Sequence, residues 1–177
     1  MALFKAYEPT AQVNGETILS FVNGLGAFKD TALQLLKDQG IDDPQPGQWY
    51  SHQGWLSAFE ELSKKYGVNC IIMVGKAIPK HANLPPEIDS VEKAMASINV
   101  AYRMNHRGNV GSFTFEIVGP QQGKMICDNP YHCAFDQAVL KAMAEKFKKP
   151  GQQIKLTHDE GGCRLNGDDS CTYTISW

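Results

Sequence analysis

The chain has 177 residues, 42% hydrophobic and 20% charged, with a formal net charge of −2. That length suits one domain, 1–177, with one sizeable core. A charge so close to zero gives no electrostatic reason to expect nucleic acid or an anionic membrane as a partner, and no apolar run approaches the ~20 residues of a membrane span.

The opening MALFKAYEPT lacks the apolar centre and cleavage site of a signal peptide, so a cytoplasmic location is expected. ALFKAY is compatible with a short strand, interrupted by Pro9 and Asn14-Gly15. Gly15 to Gly40 predicts helix with a break at Gly24-Leu25-Gly26. Ile18, Leu19 and Val22 share one face of the first piece, and Phe28, Ala32, Leu35 and Leu36 one face of the second; Gly40 is expected as a left-handed cap. DDPQPG (42–47) reads as a loop. A further helix is predicted from near Gln48, with Trp49, His52, Leu56, Phe59, Leu62 and Tyr66 as its apolar stripe and Gly67 as its stop. Val68 to Ile78 is apolar throughout and fits helix or strand, with Pro79 expected to end it. Cys70, inside that run, reads as a core thiol. After a loop over 81–86, Ser90 is placed to cap a helix that turns Val91, Met95, Ile98 and Tyr102 inward.

The pattern changes at Gly108. Phe113, Phe115 and Ile117 alternate, which is the strand period, and GPQQG turns the chain into a returning strand over Lys124 to Cys127. Asp128-Asn129-Pro130 leads into a helix to Phe147 with Phe135, Val139, Met143 and Phe147 on one stripe. Ile154 to His158 and Cys171 to Trp177 read as strands around a loop with Asn166-Gly167-Asp168-Asp169. The order is therefore a helical half (1–107) followed by β-β-α-β-β (108–177). An antiparallel sheet backed by helices, a mixed α/β (α+β) fold, buries these faces most economically.

Four of the five cysteines lie in the last third: Cys127, Cys133, Cys163 and Cys171. In a cytoplasmic chain they argue against a disulfide scaffold. If the loop after Cys163 joins two paired strands, Cys163 and Cys171 face each other at its base. Cys133 begins a helix, where the dipole favours a thiolate. Three thiolates plus one further donor make a closed, structural zinc site; Glu160, His158 and Cys127 are the candidate fourth donors, in that order. Buried core thiols, a Cys163–Cys171 redox disulfide and a catalytic Cys133 beside His132 are the competing readings.

DNPYHCAFDQAVL, the closing CRLNGDDSCTYTISW and the β-β-α-β-β order together resemble the 4-vinyl-reductase-type small-molecule-binding domain. That domain shares its fold superfamily with haem–nitric-oxide-binding (H-NOX) domains and TRAPP trafficking subunits. The likeness covers roughly residues 105–177. It implies a mostly dimeric domain with a ligand pocket between helices and sheet. Phenol-responsive activators of this family carry a zinc site whose ligands would fall here on Cys133, Glu160, Cys163 and Cys171. Haem-binding relatives use a helical histidine and a Y-x-S-x-R motif. The nearest approach here, YRMNHRG (102–108), lacks that spacing, so haem at His106 is the lesser expectation, as is an iron–sulfur centre.

Trp49, His52, Trp55 and Phe59, with Tyr102, His106 and Arg107, are the candidate ligand-binding residues, since aromatics with a few convergent polar groups describe a small-molecule pocket. They equally describe an ordinary core with polar tips, and Arg107 suits a helix C-terminus for structural reasons alone. The expected function is non-catalytic binding of a small apolar or aromatic ligand by a sensor-type homodimer with structural zinc, signalling to a separate protein. A tetrapyrrole-binding protein or enzyme accessory and a protein–protein scaffold are the alternatives.

Overall fold

The computed structural model of the chain describes residues 3–82 and 84–177, apart from the side chain of His81. The first half is helical. Helix α1 (Gly15–Gly24) is capped by Asn14, whose side chain accepts from the Thr17 amide at 3.0 Å. A short 3-10 turn over Gly26–Phe28 separates it from α2 (Lys29–Asp38), and Gly40 follows at φ 80°, the left-handed conformation expected there. Helices α3 (His52–Tyr66) and α4 (Val68–His81) meet at Gly67, at φ 78°. Helix α5 (Val91–Met104) starts at Ser90, whose hydroxyl accepts from the Lys93 amide.

Three sequence expectations for this half need correction. The strand expected over ALFKAY is not formed by its described residues, Leu3 to Tyr7, Ala2 lying outside them: Phe4 stands at φ 58° in a turn, and β1 is Gln12–Asn14. The stripe beginning at Trp49 is not all helix. Trp49–Ser51 forms β2, antiparallel to β1, and Ser51 Oγ caps the helix that begins only at His52. Together with β3 (His106–Arg107) these make a three-stranded sheet, β2-β1-β3, with no counterpart in the predicted order. Its strands are too short for periodicity to reveal; only pairing across the chain defines them. Finally, Pro79 does not end α4. It removes one hydrogen bond close to the C-terminus, yet the helix continues to His81 and Ala82 N–H reaches Ile78 O at 3.1 Å.

The second half follows prediction. Strands β4 (Ser112–Gly119), β5 (Gln122–Asp128), β6 (Lys155–His158) and β7 (Cys171–Ser176) form an antiparallel sheet in the order β4-β5-β7-β6, with α6 (Cys133–Phe147) between β5 and β6. Alternation decides the faces: Cys171, Tyr173 and Ile175 turn inward, as do Met125 and Cys127 on β5. Register sets Cys127 opposite Cys171 and His158 opposite Tyr173. Helix α6 lies against α4 with almost no gap. A Cβ on Gly75 would stand 2.8 Å from both Ala138 Cβ and Phe135 O, so only glycine permits this approach. One buried cluster takes residues from both halves, including Trp55, Phe59, Met95, Cys133, Phe135 and Tyr173.

A thiol cluster and an aromatic chamber as candidate functional sites

Two buried sites flank the segment that joins β5 to α6. At its end, the first residue of α6 and the first of β7 bring Cys133 and Cys171 together, and the loop before β7 adds Cys163. The Sγ separations are 3.0 Å (Cys133–Cys171), 3.5 Å (Cys133–Cys163) and 3.9 Å (Cys163–Cys171). Thiolates at ~2.3 Å from a tetrahedral zinc stand about 3.8 Å apart, so the group matches a single ion in size. The loop is folded onto the site by the Cys163 amide, which donates to Asp168 Oδ2 at 2.8 Å.

The charge on this group does not sit where a helix dipole alone would put it. The contact between the two thiols holds Cys171 below its usual range and pushes Cys133 up. Arg164 favours charge on the same sulfur: its Nε and its backbone N–H point at Cys171 Sγ from 3.5 and 3.4 Å. Arg164 is 3% exposed and Asp136 0%. The Arg164 guanidinium donates to Asp136 and to both the carbonyl and the side-chain oxygen of Asn129. Burial raises the Asp136 carboxyl to about 6, with the Arg164 charge pulling the other way. The carboxylate is therefore ionised at neutral pH and pairs with a charged guanidinium.

Among the candidate fourth donors, none joins the three sulfurs within 4.8 Å. Glu160 is exposed at the Gly161-Gly162 turn. Cys127 is buried directly opposite Cys171, and burial pushes its thiol up. His158 shares the inward face with Cys171 and contacts it, and its Nε2 is buried without a partner among the described residues.

At the start of the same segment lies a chamber of about 130 Å³, walled largely by apolar side chains including Phe21, Ile98, Phe113, Phe135 and Met143. Trp55, Tyr102 and His106 also line it, as sequence suggested, and Tyr131 supplies its polar corner. The protons there can be assigned. His106 Nδ1 lies 2.8 Å from the Tyr102 carbonyl, so Nδ1 carries the hydrogen and Nε2 is a lone pair. Tyr131 O–H therefore donates to His106 Nε2 at 2.9 Å. The Tyr131 oxygen accepts from Trp55 Nε1–H at 3.0 Å and, at 3.3 Å, from His52 Nε2. That fixes the His52 tautomer and leaves its Nδ1 a buried lone pair with no partner. Burial pushes His106 down to about 4 and, aided by the neighbouring His106, His52 down to about 3. Both imidazoles are neutral at pH 7, as this pattern requires.

The other predicted ligand residues lie elsewhere. His52 stands behind Tyr131, and Phe59 stacks on Trp55 with centroids 5.5 Å apart; neither lines the chamber. Trp49 and Arg107 face each other, the guanidinium 3.8 Å over the ring, and also stand apart from it. A wider open groove, about 870 Å³, runs between α4 and α6 past Lys76, Lys80 and Lys141, and contains none of the predicted residues. Sequence reasoning missed Asn129, Tyr131, Asp136 and Arg164. One signal was present: Asp136, Leu140 and Met143 fall at helical spacing, so the acid lies on the inward stripe and demands a buried partner.

No family model matches this chain, and no curated protein does. Solved structures do. An H-NOX protein from S. oneidensis in the Fe(II)NO state superposes with a TM-score of 0.68 at 13% identity, covering 92% of this chain and 98% of that one. A structure from a study of haem distortion in the H-NOX family gives 0.69 at 14%, covering 93% and 94%. An oxygen-binding H-NOX domain related to soluble guanylate cyclases, in its oxygen complex, gives 0.67 at 14%, covering 92% and 94%. At such identities the likeness establishes the fold, a helical half followed by an antiparallel sheet and helix, of the H-NOX type.

Proposed function

We propose that the chain is a non-catalytic, sensor-type small-molecule-binding domain whose ligand lies beside Tyr131, and that its three clustered sulfurs hold a structural zinc ion. The chamber carries the first part: 130 Å³, apolar walls and a single polar corner where Tyr131 meets His106. An apolar cavity of about 150 Å³ admits benzene or xenon, so a single-ring aromatic with one polar substituent is the class that fits. The sulfur spacing and the two N–H groups aimed at Cys171 support the second part. In such a domain the output passes to a separate protein. A homodimer is the assembly we infer for it; a monomer by sedimentation across the micromolar range would count against that.

The fold likeness favours a second reading, haem held at His106, because the H-NOX structures above concern haem and its nitric oxide and oxygen ligands. The residues of this chain do not fit that group as they stand. Both nitrogens of His106 are engaged, no lysine or arginine among the described residues lines the chamber to meet carboxylates, and 130 Å³ is well short of the ~300–1,000 Å³ of ordinary ligand pockets.

One set of measurements separates the readings. Protein purified without chelator is expected to carry one zinc per chain and no visible chromophore, to take up no stoichiometric haem when ferric haem is added, and to bind phenol in a calorimetric titration. A haem absorbance band that His106→Ala removes would replace the aromatic-ligand reading with haem. For the metal, Cys163→Ser is expected to lose zinc and melt lower, with chelator having no further effect. Equal melting of the unmodified protein with and without chelator would sink the zinc.

A further inference from the structure

One side chain lies between the two sites. Arg164 donates to Cys171 Sγ through Nε and, from the same residue, through its backbone N–H. Its Nη1 reaches the carbonyl and Oδ1 of Asn129. Asn129 Oδ1 also accepts the Tyr131 amide at 2.9 Å. Tyr131 Oη is the polar corner of the chamber, bonded to His106, His52 and Trp55. From sulfur to chamber the path is thus Cys171, Arg164, Asn129, Tyr131. Asn129 and Tyr131 are 1% and 3% exposed, so water cannot substitute at any joint. On the far side Asp136 holds Arg164 Nη2 and receives Asn129 Nδ2, closing the network into a unit that moves together.

We propose that Arg164 is a positioning residue through which the Cys133–Cys163–Cys171 group regulates the chamber, such that an ion on the sulfurs tightens ligand binding beside Tyr131. This rests on the small-molecule reading above. An ion bridging three sulfurs fixes Cys171 in place and replaces its 3.0 Å contact with the Cys133 sulfur. A fixed Cys171 fixes the guanidinium. Because one oxygen of Asn129 serves both Arg164 and the Tyr131 amide, a displaced guanidinium displaces the segment that carries Tyr131. With the ion absent, part of the ligand's binding energy goes into ordering that segment, and affinity falls. Linkage makes the effect reciprocal: the ligand must tighten the ion by the same factor.

The test compares zinc-loaded and chelator-stripped protein, labelled with ¹⁵N at tryptophan. There are three indoles, Trp49, Trp55 and Trp177. Only Trp55 donates to Tyr131, so its N–H resonance reports the chamber without any ligand. Zinc is expected to move the Trp55 resonance and to lower the phenol Kd by about 5-fold or more. Arg164→Lys keeps a cation for Asp136, but a single ammonium cannot span Asn129 and Cys171, so both responses should disappear while zinc still binds. Asn129→Ala, which leaves the buried ion pair whole, should do the same if the lysine variant folds poorly. A Trp55 resonance and a phenol affinity that ignore zinc in the unmodified protein overturn the proposal, as does a full response in the folded variants. Phenol binding with equal affinity in both zinc states keeps the small-molecule reading and removes the coupling. No phenol binding, with the indole still responding to zinc, removes the reading and leaves Arg164 as the connection.

Discussion

The chamber and the sulfur group are both built on one five-residue segment, Asn129 to Cys133, through Tyr131 and Cys133, yet they are polar in opposite ways. Around Tyr131 the histidines are neutral, and His52 Nδ1 is the one ring nitrogen of the pair left without a partner among the described residues. Burial enforces that neutrality by pushing both histidines down. Beside the sulfur group charge is kept: a guanidinium and a carboxylate are buried together, with two N–H groups of Arg164 aimed at Cys171. The lesson is physical. A neutral hydrogen-bonded cluster can border an empty apolar space, because it needs nothing from across the gap. A buried charge cannot, and must be enclosed by partners on every side.

Breaking each site should therefore cost differently. The largest loss is expected from Arg164→Met, which strands the Asp136 carboxylate; a drop of about 3–5 kcal/mol in urea unfolding is anticipated. The double variant with Asp136→Asn should recover part of it, and no recovery would mean the pair is not the unit described. Tyr131→Phe comes next. It leaves Trp55 Nε1, His52 Nε2 and His106 Nε2 to share two lost bonds and one lost donor, so a loss of about 2–3 kcal/mol is expected, with phenol binding weakened. A change under half a kilocalorie would show that the hydroxyl is not the centre of the cluster.

Acid should act on the chamber through its two histidines, and in the opposite sense on Asp136, whose carboxyl is raised by burial. Both histidines are held below their unfolded value, so between about pH 6.5 and 4 the unfolded chain binds protons that the folded chain does not, and stability falls as pH falls, by up to ~1.4 kcal/mol per unit for each. His52→Gln should remove about half of that slope, and an unchanged slope would locate the acid sensitivity elsewhere. The smallest effect is expected outside both sites. Arg107→Ala should cost about 0.5–1 kcal/mol through its contact with Trp49, and should leave phenol affinity unchanged. Altered affinity would return Arg107 and Trp49 to the binding site.

Much of this was legible beforehand. The amphipathic stripes of α3, α5 and α6, the Ser90 cap, the left-handed Gly40 and the β-β-α-β-β order follow from local periodicity and turn chemistry, which operate within a few residues. So did the gathering of Cys133, Cys163 and Cys171, because a hairpin base and a helix start are local events that pairing brings together. The short strands β1 to β3 were not legible, since two or three residues carry no period. Arg164 was read as part of a loop, and the chain around it gives no sign that its partners lie 28 and 35 residues away.

The amino-acid order alone specified the two halves and the elements of the second half almost residue by residue, because hydrophobic spacing fixes which face of each element turns inward. Only the packed molecule decided that Tyr131, not Trp49 or Arg107, stands at the chamber's polar corner, that Arg164 aims two N–H groups at Cys171, and that the same arginine reaches Tyr131 through Asn129. Those outcomes are set by neighbours that meet only when the sheet and α6 close on one another.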